Sequence, residues 1–238
     1  MAADAPMPFK PEGPPRIAGK AAVRPRNAAT LILVRRTGRA PEILMGRRAR
    51  GHDFMPNKWV FPGGRVDRGD FSAPAAAELE PEVEAKLRLT APGRPTLPRA
   101  LAMAAVRETW EEVGLMLARP APARPAAGPW RGFIEAGALP NLSPLRFIAR
   151  AITPPMIGKR FDARFFMAEA DALLSQERAK GSGELDEIAW IPIPEVESFD
   201  LPNVTKFVVK ELEARLEDPT RPVLSLTARG GARHLARL

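Results

Sequence analysis

Short apolar, β-branched runs alternate along this chain with longer runs of helical period. Residues 28–34 and 42–45 read as strands, and residues 58–61 as a third that ends at the paired glycines Gly63 and Gly64. Residues 145–153 and 160–168 predict two strands adjacent in one sheet, turned by Pro154-Pro155-Met156-Ile157-Gly158, and residues 188–193 predict another. Residues 99–117 carry Met103, Val106, Trp110 and Val113 at i, i+3, i+7 and i+10, the stripe of a helix with one face in a core. Residues 203–216 form a final helix with Phe207, Val208, Leu212 and Leu216 along one side and Pro219 beyond its end. Proline-rich residues 119–129 read as loop and residues 130–138 as a short helix. Strands mixed with two long helices make an α/β or α+β layered domain. The pattern does not order the sheet.

The polar side of the 99–117 helix carries the candidate chemistry. At ~100° per residue, Glu108, Glu111 and Glu112 fall within an arc of about 100°. Like charges at these spacings repel by a few tenths of a kcal/mol per pair, so a compensating cation is expected. An all-oxygen set with no cysteine or histidine nearby suits hard ions, Mg2+ first, then Mn2+ or Ca2+. Read alone, a Glu-x-x-Glu-Glu face is more often a solvated surface.

The flanking residues change that reading. Gly64, Arg107, Glu108, Glu111, Glu112, Gly114 and Leu115 match the signature of the Nudix hydrolases, which the chain resembles over roughly residues 28–213. Asp70 stands where the signature has its first glutamate, and Thr109 replaces its first aliphatic residue. Residues 71–106 occupy a spacer for which the signature allows only seven positions, so a segment of about residues 71–98 is inserted within the box. In it, Ser72-Ala73-Pro74 followed by Ala75 to Glu80 reads as a helix start with Ser72 as N-cap, and residues 91–98 as a breaker-rich loop. Insertions at this point characterise the motif 19 subgroup, some members of which are coenzyme A diphosphatases. The run from Gly51 to Phe61 and the Lys159-Arg160-Phe161-Asp162-Ala163-Arg164-Phe165-Phe166 segment are similar to elements of that subgroup.

Composition narrows the chemistry further. The 238 residues suit one domain with elaborations. Residues 1–26 read as a flexible Pro/Arg-rich arm, 27–218 as the hydrolase domain and 219–238 as a C-terminal tail. There is no cysteine, which excludes disulfides, thiolate ligands and cysteine nucleophiles. The two histidines, His52 and His234, are too far apart in sequence to suggest a metal cluster, and His52 falls in a polar loop as a surface or substrate-contact residue. A formal charge of +8 and a pI near 10.5 favour anionic partners, although alanine and arginine enrichment also follows from a GC-rich genome. Aromatics are only 6% and no nucleic-acid-binding motif is recognised, so nucleic acid is the less favoured partner. No apolar run reaches the roughly 18 to 20 residues of a membrane span, and the N-terminal residues lack a secretory core. A soluble, cytoplasmic protein is expected; the terminal Ala-Arg-Leu is only weakly similar to a peroxisomal address.

The resemblance implies the Nudix α/β/α sandwich, with a mixed sheet and the box as a loop-helix-loop unit at one edge. It implies a hydrolase that cleaves a nucleoside diphosphate linked to another moiety, using Mg2+ or Mn2+. By that analogy Glu108, Glu112 and the Gly64 carbonyl hold metal, Glu111 ligates or takes a proton from water, and Arg107 orients a glutamate. A later loop carboxylate often completes the metal shell or acts as general base, and Gly-Ser-Gly-Glu-Leu-Asp-Glu over residues 181–187 offers Glu184 and Glu187. The subgroup implies coenzyme A or acyl-coenzyme A, cleaved to 3′,5′-ADP and a 4′-phosphopantetheine product. Leu44-Met45-Gly46-Arg47-Arg48 resembles only loosely an element of coenzyme A-specific relatives. ADP-ribose, NADH, dinucleoside polyphosphates and RNA 5′ ends would use the same residues. A non-catalytic module that binds nucleotide or RNA is the reading from another class; the intact glutamates speak against it. Oligomeric state is not legible.

Overall fold

The structure, a computed structural model, describes residues 7–8, 12–16, 23–51, 55–175, 183–229 and 232–238. The first strands are β1 (Met7–Pro8), β2 (Arg26–Arg35), β3 (Glu42–Arg48), β4 (Trp59–Val60) and β5 (Gly63–Arg65). Helices α1 (Pro81–Leu89) and α2 (Leu97–Val113) follow, then β6 (Ala118–Pro120), α3 (Arg131–Glu135) and β7 (Ala138–Pro140). The chain ends with β8 (Arg146–Ile152), β9 (Phe161–Glu169), β10 (Leu185–Pro192), α4 (Asn203–Glu217), β11 (Leu224–Arg229) and β12 (Ala232–Arg237).

The main sheet runs β1-β12-β11-β8-β9-β2-β3-β10, with β4 added to β3 and β5 to β2. It is mixed: β2 lies parallel to β9 and β8 parallel to β11, and the other pairs are antiparallel. From Ala28 to Val34 β2 is apolar apart from Thr30, because both its faces are covered there. Ala29, Leu31 and Leu33 point into the cluster beneath α1 and α2, while Ile32 and Val34 point into the cluster beneath α4. This is the expected α/β/α sandwich. β6 and β7 pair as a separate ribbon. Among the described residues no helix is long and apolar enough to cross a membrane.

Several sequence expectations are corrected. Residues 72–80 are not helical; the helix of that segment is α1. Ala75, Ala76 and Ala77 favour helix, but the Ala76 N–H donates to the Pro140 carbonyl at 2.7 Å and the Leu142 N–H to the Ala77 carbonyl at 2.9 Å, which holds them extended. α1 begins instead at Pro81, whose missing N–H is harmless at a first helical position. Glu82 and Glu84 sit in its first turn and Lys86 and Arg88 in its last, paired at 2.6 Å across i, i+4, in the sense that suits the helix dipole. The short helix expected over 130–138 is only Arg131–Glu135, and Ala138 already belongs to β7. Residues 219–238 are not a tail, since β11 and β12 extend the main sheet. The described part of the N-terminal arm is also docked: Pro15 bridges Ile157, and the Arg16 N–H donates to the Met156 carbonyl at 2.8 Å. His52, Gly181 and Ser182 lie outside the described residues.

A buried arginine ties the segment between α1 and α2 to the sheet. Arg164 of β9 is 1% exposed, donating through Nη2 to the Thr90 carbonyl at 2.9 Å and through Nη1 to Asn27 Oδ1 at 2.9 Å and the Asp162 carbonyl at 2.8 Å. Burial pulls its pKa down to about 10, so it stays charged at neutral pH. Replacing it by an apolar residue strands the Thr90 and Asn27 acceptors in the interior. Arg164→Leu is therefore expected to lower the unfolding free energy by about 3 kcal/mol in urea titration. An unchanged midpoint would show that the pin contributes nothing.

Candidate active site

α2 is oriented by its apolar side: Met103, Val106 and Val113 are buried, and Trp110 packs edge-on against Phe133 with ring centroids 5.6 Å apart. That orientation turns Arg107, Glu108, Glu111 and Glu112 toward the turn carrying Gly63 and Gly64. Gly114, at φ 72°, ends α2 in the left-handed region, and its N–H donates to the Trp110 carbonyl at 2.9 Å.

Arg107 is the hub. Its Nε and Nη2 donate to Asp70 Oδ1 and Oδ2 at 2.9 and 3.1 Å, and Nη2 also reaches the Arg65 carbonyl at 2.8 Å. Its Nη1 donates to Glu108 Oε1 at 2.9 Å and Glu111 Oε2 at 2.8 Å. Burial acts against the Arg107 charge, but the Asp70 bond and the charges of Glu108, Asp70 and Glu111 outweigh it and raise its pKa. Asp70 is fully buried and reaches the guanidinium in spite of its short arm because Arg68–Phe71 forms a 3-10 turn capped by Asp67. The Asp67 N–H donates to Asp70 Oδ2 at 2.7 Å, and Trp130 Nε1 donates to Oδ1 at 3.0 Å.

Close approach explains the paired glycines. A Cβ on Gly64 would lie 2.5 Å from the Glu108 carboxyl group, and one on Gly63 would lie 2.5 Å from Thr30 Oγ1 and 2.7 Å from the Ala29 carbonyl oxygen. The Gly63 N–H donates to Glu112 Oε2 at 3.0 Å.

All three α2 carboxyls are pushed up by burial. Glu112 is raised from 4.5 to about 8, with repulsion from Glu108 adding to burial and the Gly63 N–H opposing. Glu108 is raised to about 7, with Arg107 opposing burial and Glu111 adding to it. Glu111 is raised as well, by burial first, and is the most open of the three at 33% side-chain exposure.

The two loop candidates separate. Glu184 lies close enough for its charge to act on Glu111, Glu112 and Arg48. Glu187 pairs with Arg47 at 3.2 Å. On β3, Leu44 belongs to the α2 side of the sheet and Ile43 and Met45 to the α4 side, so alternation sends Arg48 toward α2 and Arg47, with its cross-strand partner Glu187, toward α4. The sheet thus divides Glu187 from the α2 carboxylates.

A cleft of about 210 Å³ opens beside Gly63 and Gly64. Val60, Phe61, Phe161, Phe165 and Leu226 give it apolar walls, and Arg48 and Arg233 also line it. Glu12 reaches into the same cleft and accepts the Asn203 N–H at 2.6 Å. Sequence reasoning missed Trp130 and the Arg65 carbonyl as supports of Arg107, and it quoted Arg48 without giving it a role. Nothing local marks Trp130, which stands in a proline-rich stretch.

The donor set fits a hard divalent cation. It is all oxygen, its carboxyls are raised by burial and mutual repulsion that a cation would relieve, and glycine keeps the space beside Glu108 clear of a Cβ. Among the described residues no three acidic or histidine side chains converge at ligand distance, because Glu108 and Glu111 turn to Arg107 and Glu112 to the Gly63 N–H. The chemistry of the set and its geometry point different ways. The two are compatible, because the bonds from Arg107 and Gly63 engage one oxygen of each carboxylate, Glu108 Oε1, Glu111 Oε2 and Glu112 Oε2, and leave the other for a cation.

Comparison with known proteins identifies the fold and the family. A NUDIX domain model matches residues 24–97, ending where α2 begins. The crystal structure of a NUDIX hydrolase from Alicyclobacillus acidocaldarius is 31% identical, covering 82% of this chain and 93% of that one, with a TM-score of 0.58. The NUDIX domain of Shewanella oneidensis NrtR, complexed with ADP ribose, is 11% identical over 82% of this chain and 90% of its own, with a TM-score of 0.48. The Nudix hydrolase RenU from M. smegmatis is 19% identical over 84% and 89%, with a TM-score of 0.44.

The raised carboxyls carry a pH signature. The unfolded chain ionises near 4.5 while the folded chain holds its protons up to about 7 and about 8. Between those values the folded state binds more protons, so stability falls as pH rises. Metal-free protein should therefore melt lower at pH 8 than at pH 5.5, and a Glu108→Gln/Glu112→Gln variant should lack that share of the slope. Mg2+ or Mn2+ should raise the melting temperature more at pH 8 than at pH 5.5. Equal slopes in both proteins would contradict the assignment.

Proposed function

The chain belongs to the Nudix hydrolase family, and from that premise we propose that it cleaves the diphosphate of coenzyme A or acyl-coenzyme A, releasing 3′,5′-ADP and a 4′-phosphopantetheine product. The coarser activity, pyrophosphate hydrolysis of nucleoside diphosphate derivatives with a divalent ion, follows from the family itself. What supports the finer reading is a mostly apolar cleft that opens on the α4 face of the sheet and meets the α2 carboxylates at the paired glycines, where Gly64 abuts Glu108 and the Gly63 N–H donates to Glu112. A pantetheine arm begins with a branched apolar group next to the diphosphate, which suits walls of Val60, Phe61 and Phe165 better than a hydroxyl-rich ribose does. Arg48 and Arg233 suit the anionic groups.

Glu108, Glu112 and the Gly64 carbonyl would hold Mg2+ or Mn2+, which supplies positive charge to the phosphate oxygens and makes water a better nucleophile. Arg107 keeps Glu108 and Glu111 in place. Glu111, the most open carboxylate, takes the proton from the attacking water, and the nearby charge of Glu184 strengthens it as a base. The water oxygen bonds to phosphorus as the bridging P–O bond breaks, and the leaving phosphate ester departs with the electron pair. Glu187, on the other face of the sheet, has no part in this step.

The test is product analysis of wild type and Glu112→Gln incubated with Mg2+ or Mn2+ and a panel of coenzyme A, acetyl-coenzyme A, ADP-ribose, NADH, diadenosine polyphosphates and triphosphorylated RNA. 3′,5′-ADP from wild type, with turnover at least ~100-fold lower in a folded Glu112→Gln, is the expected result. Preferred cleavage of another substrate overturns the coenzyme A reading alone. Retained activity in the variant overturns the assignment of the site, and salt-sensitive RNA affinity without turnover would favour a binding module.

A further inference from the structure

We propose that Trp130 is a positioning residue of the hydrolytic site, acting through Asp70 and Arg107 on Glu108 and Glu111; this rests on the reading of the α2 carboxylates as the catalytic machinery. Asp70 reaches the guanidinium from the 3-10 turn Arg68–Phe71, and two further donors fix the orientation of its carboxylate. Each of its oxygens accepts two bonds: Oδ1 from Arg107 Nε at 2.9 Å and Trp130 Nε1 at 3.0 Å, Oδ2 from the Asp67 N–H at 2.7 Å and Arg107 Nη2 at 3.1 Å. With all four present the carboxylate plane is fixed and offers both oxygens to Arg107 as a fork. Without the indole N–H three bonds remain, two of them from Arg107 itself, and the carboxylate is held less tightly about its last torsion. Arg107 then has a looser anchor behind the Nη1 that reaches Glu108 and Glu111.

The placement of Trp130 is itself over-determined. It is 2% exposed and packs edge-on against Phe133 at 5.2 Å, and Phe133 packs in turn on Trp110 of α2. Glycines let this segment close on both neighbours. A Cβ on Gly132 would lie 2.6 Å from the Trp110 ring, and one on Gly69, beside Asp70, would lie 2.8 Å from Pro129. The chain around residues 128–135 therefore bridges the Asp70 turn and α2, and the indole N–H is its one polar contribution to the Asp70 carboxylate.

The test separates the hydrogen bond from the ring. Trp130→Phe keeps most of the packing and removes the donor; β-(3-benzothienyl)alanine at the same position keeps the whole shape and replaces the N–H by sulfur. The benzothienyl protein should keep a melting temperature near wild type, and Trp130→Phe should lower it through the cavity it leaves. Both should lower kcat about 10-fold with little change in KM, and weaken Mn2+ binding, followed by electron paramagnetic resonance of the free ion, by about 10-fold. In an Asp70→Asn background the Trp130→Phe change should add little, since both act on one path. Wild-type kcat and Mn2+ affinity in the benzothienyl protein would overturn the proposal, leaving the site reading intact so long as Glu112→Gln is inactive. An active Glu112→Gln would overturn that reading and the proposal with it.

Discussion

The buried guanidinium of Arg107 is the interaction on which the site depends. One side chain, 4% exposed, joins the turn after the paired glycines, through Asp70 and the Arg65 carbonyl, to α2, through Glu108 and Glu111. An isolated buried charge would be strongly unfavourable, so each partner of Arg107 is held in turn by the other's need for neutralisation. Such a pair adds little net stability over apolar packing. Its consequence is geometric: the two halves of the box, separated in sequence by residues 71–106, are locked in one register.

The carboxylates are left in tension by the same arrangement. Arg107 compensates Glu108 and Glu111 in part, whereas Glu112 has only the Gly63 N–H and the more distant Arg48. Their pKa values are raised because burial and mutual repulsion exceed the local positive charge, and a divalent cation is the partner that would discharge this. The segment before α2 packs against it: Leu79, Val83, Leu87 and Ala91 enter the same cluster as Leu101 and Val106. It backs α2, and Arg164 fixes that backing to the central sheet.

The elements near the site were legible because their signals are local. The stripe of Met103, Val106, Trp110 and Val113 fixes α2 and, with it, the side on which Glu108, Glu111 and Glu112 emerge. The paired glycines mark a close approach that only a side-chain-free residue permits. What was not legible depends on partners distant in sequence. The parallel pairing of β2 with β9 sets the sheet order, the pairing of residues 76–77 with 140–142 overrides the helix preference of the alanine run, and the Trp130–Asp70 bond spans 60 residues. Glu184 and Glu187 are equivalent in composition; Glu184 precedes β10, and the side taken by Glu187 needed the register of β10 on β3. Leu224 and Leu226 alternate with Ser225 and Thr227 in a usable strand pattern, but the arginines that follow read as a solvated end.

The proposed place of the divalent ion is the cluster of Glu108, Glu112 and Gly64. Crystals of the protein soaked in MnCl2 and measured at the manganese absorption edge test it directly. The expected result is an anomalous peak bounded by the Glu108 and Glu112 carboxylates and the Gly64 carbonyl oxygen, with Arg107 still joined to Asp70. A Mn2+-activated enzyme with its manganese bound elsewhere, and none at this cluster, would contradict it.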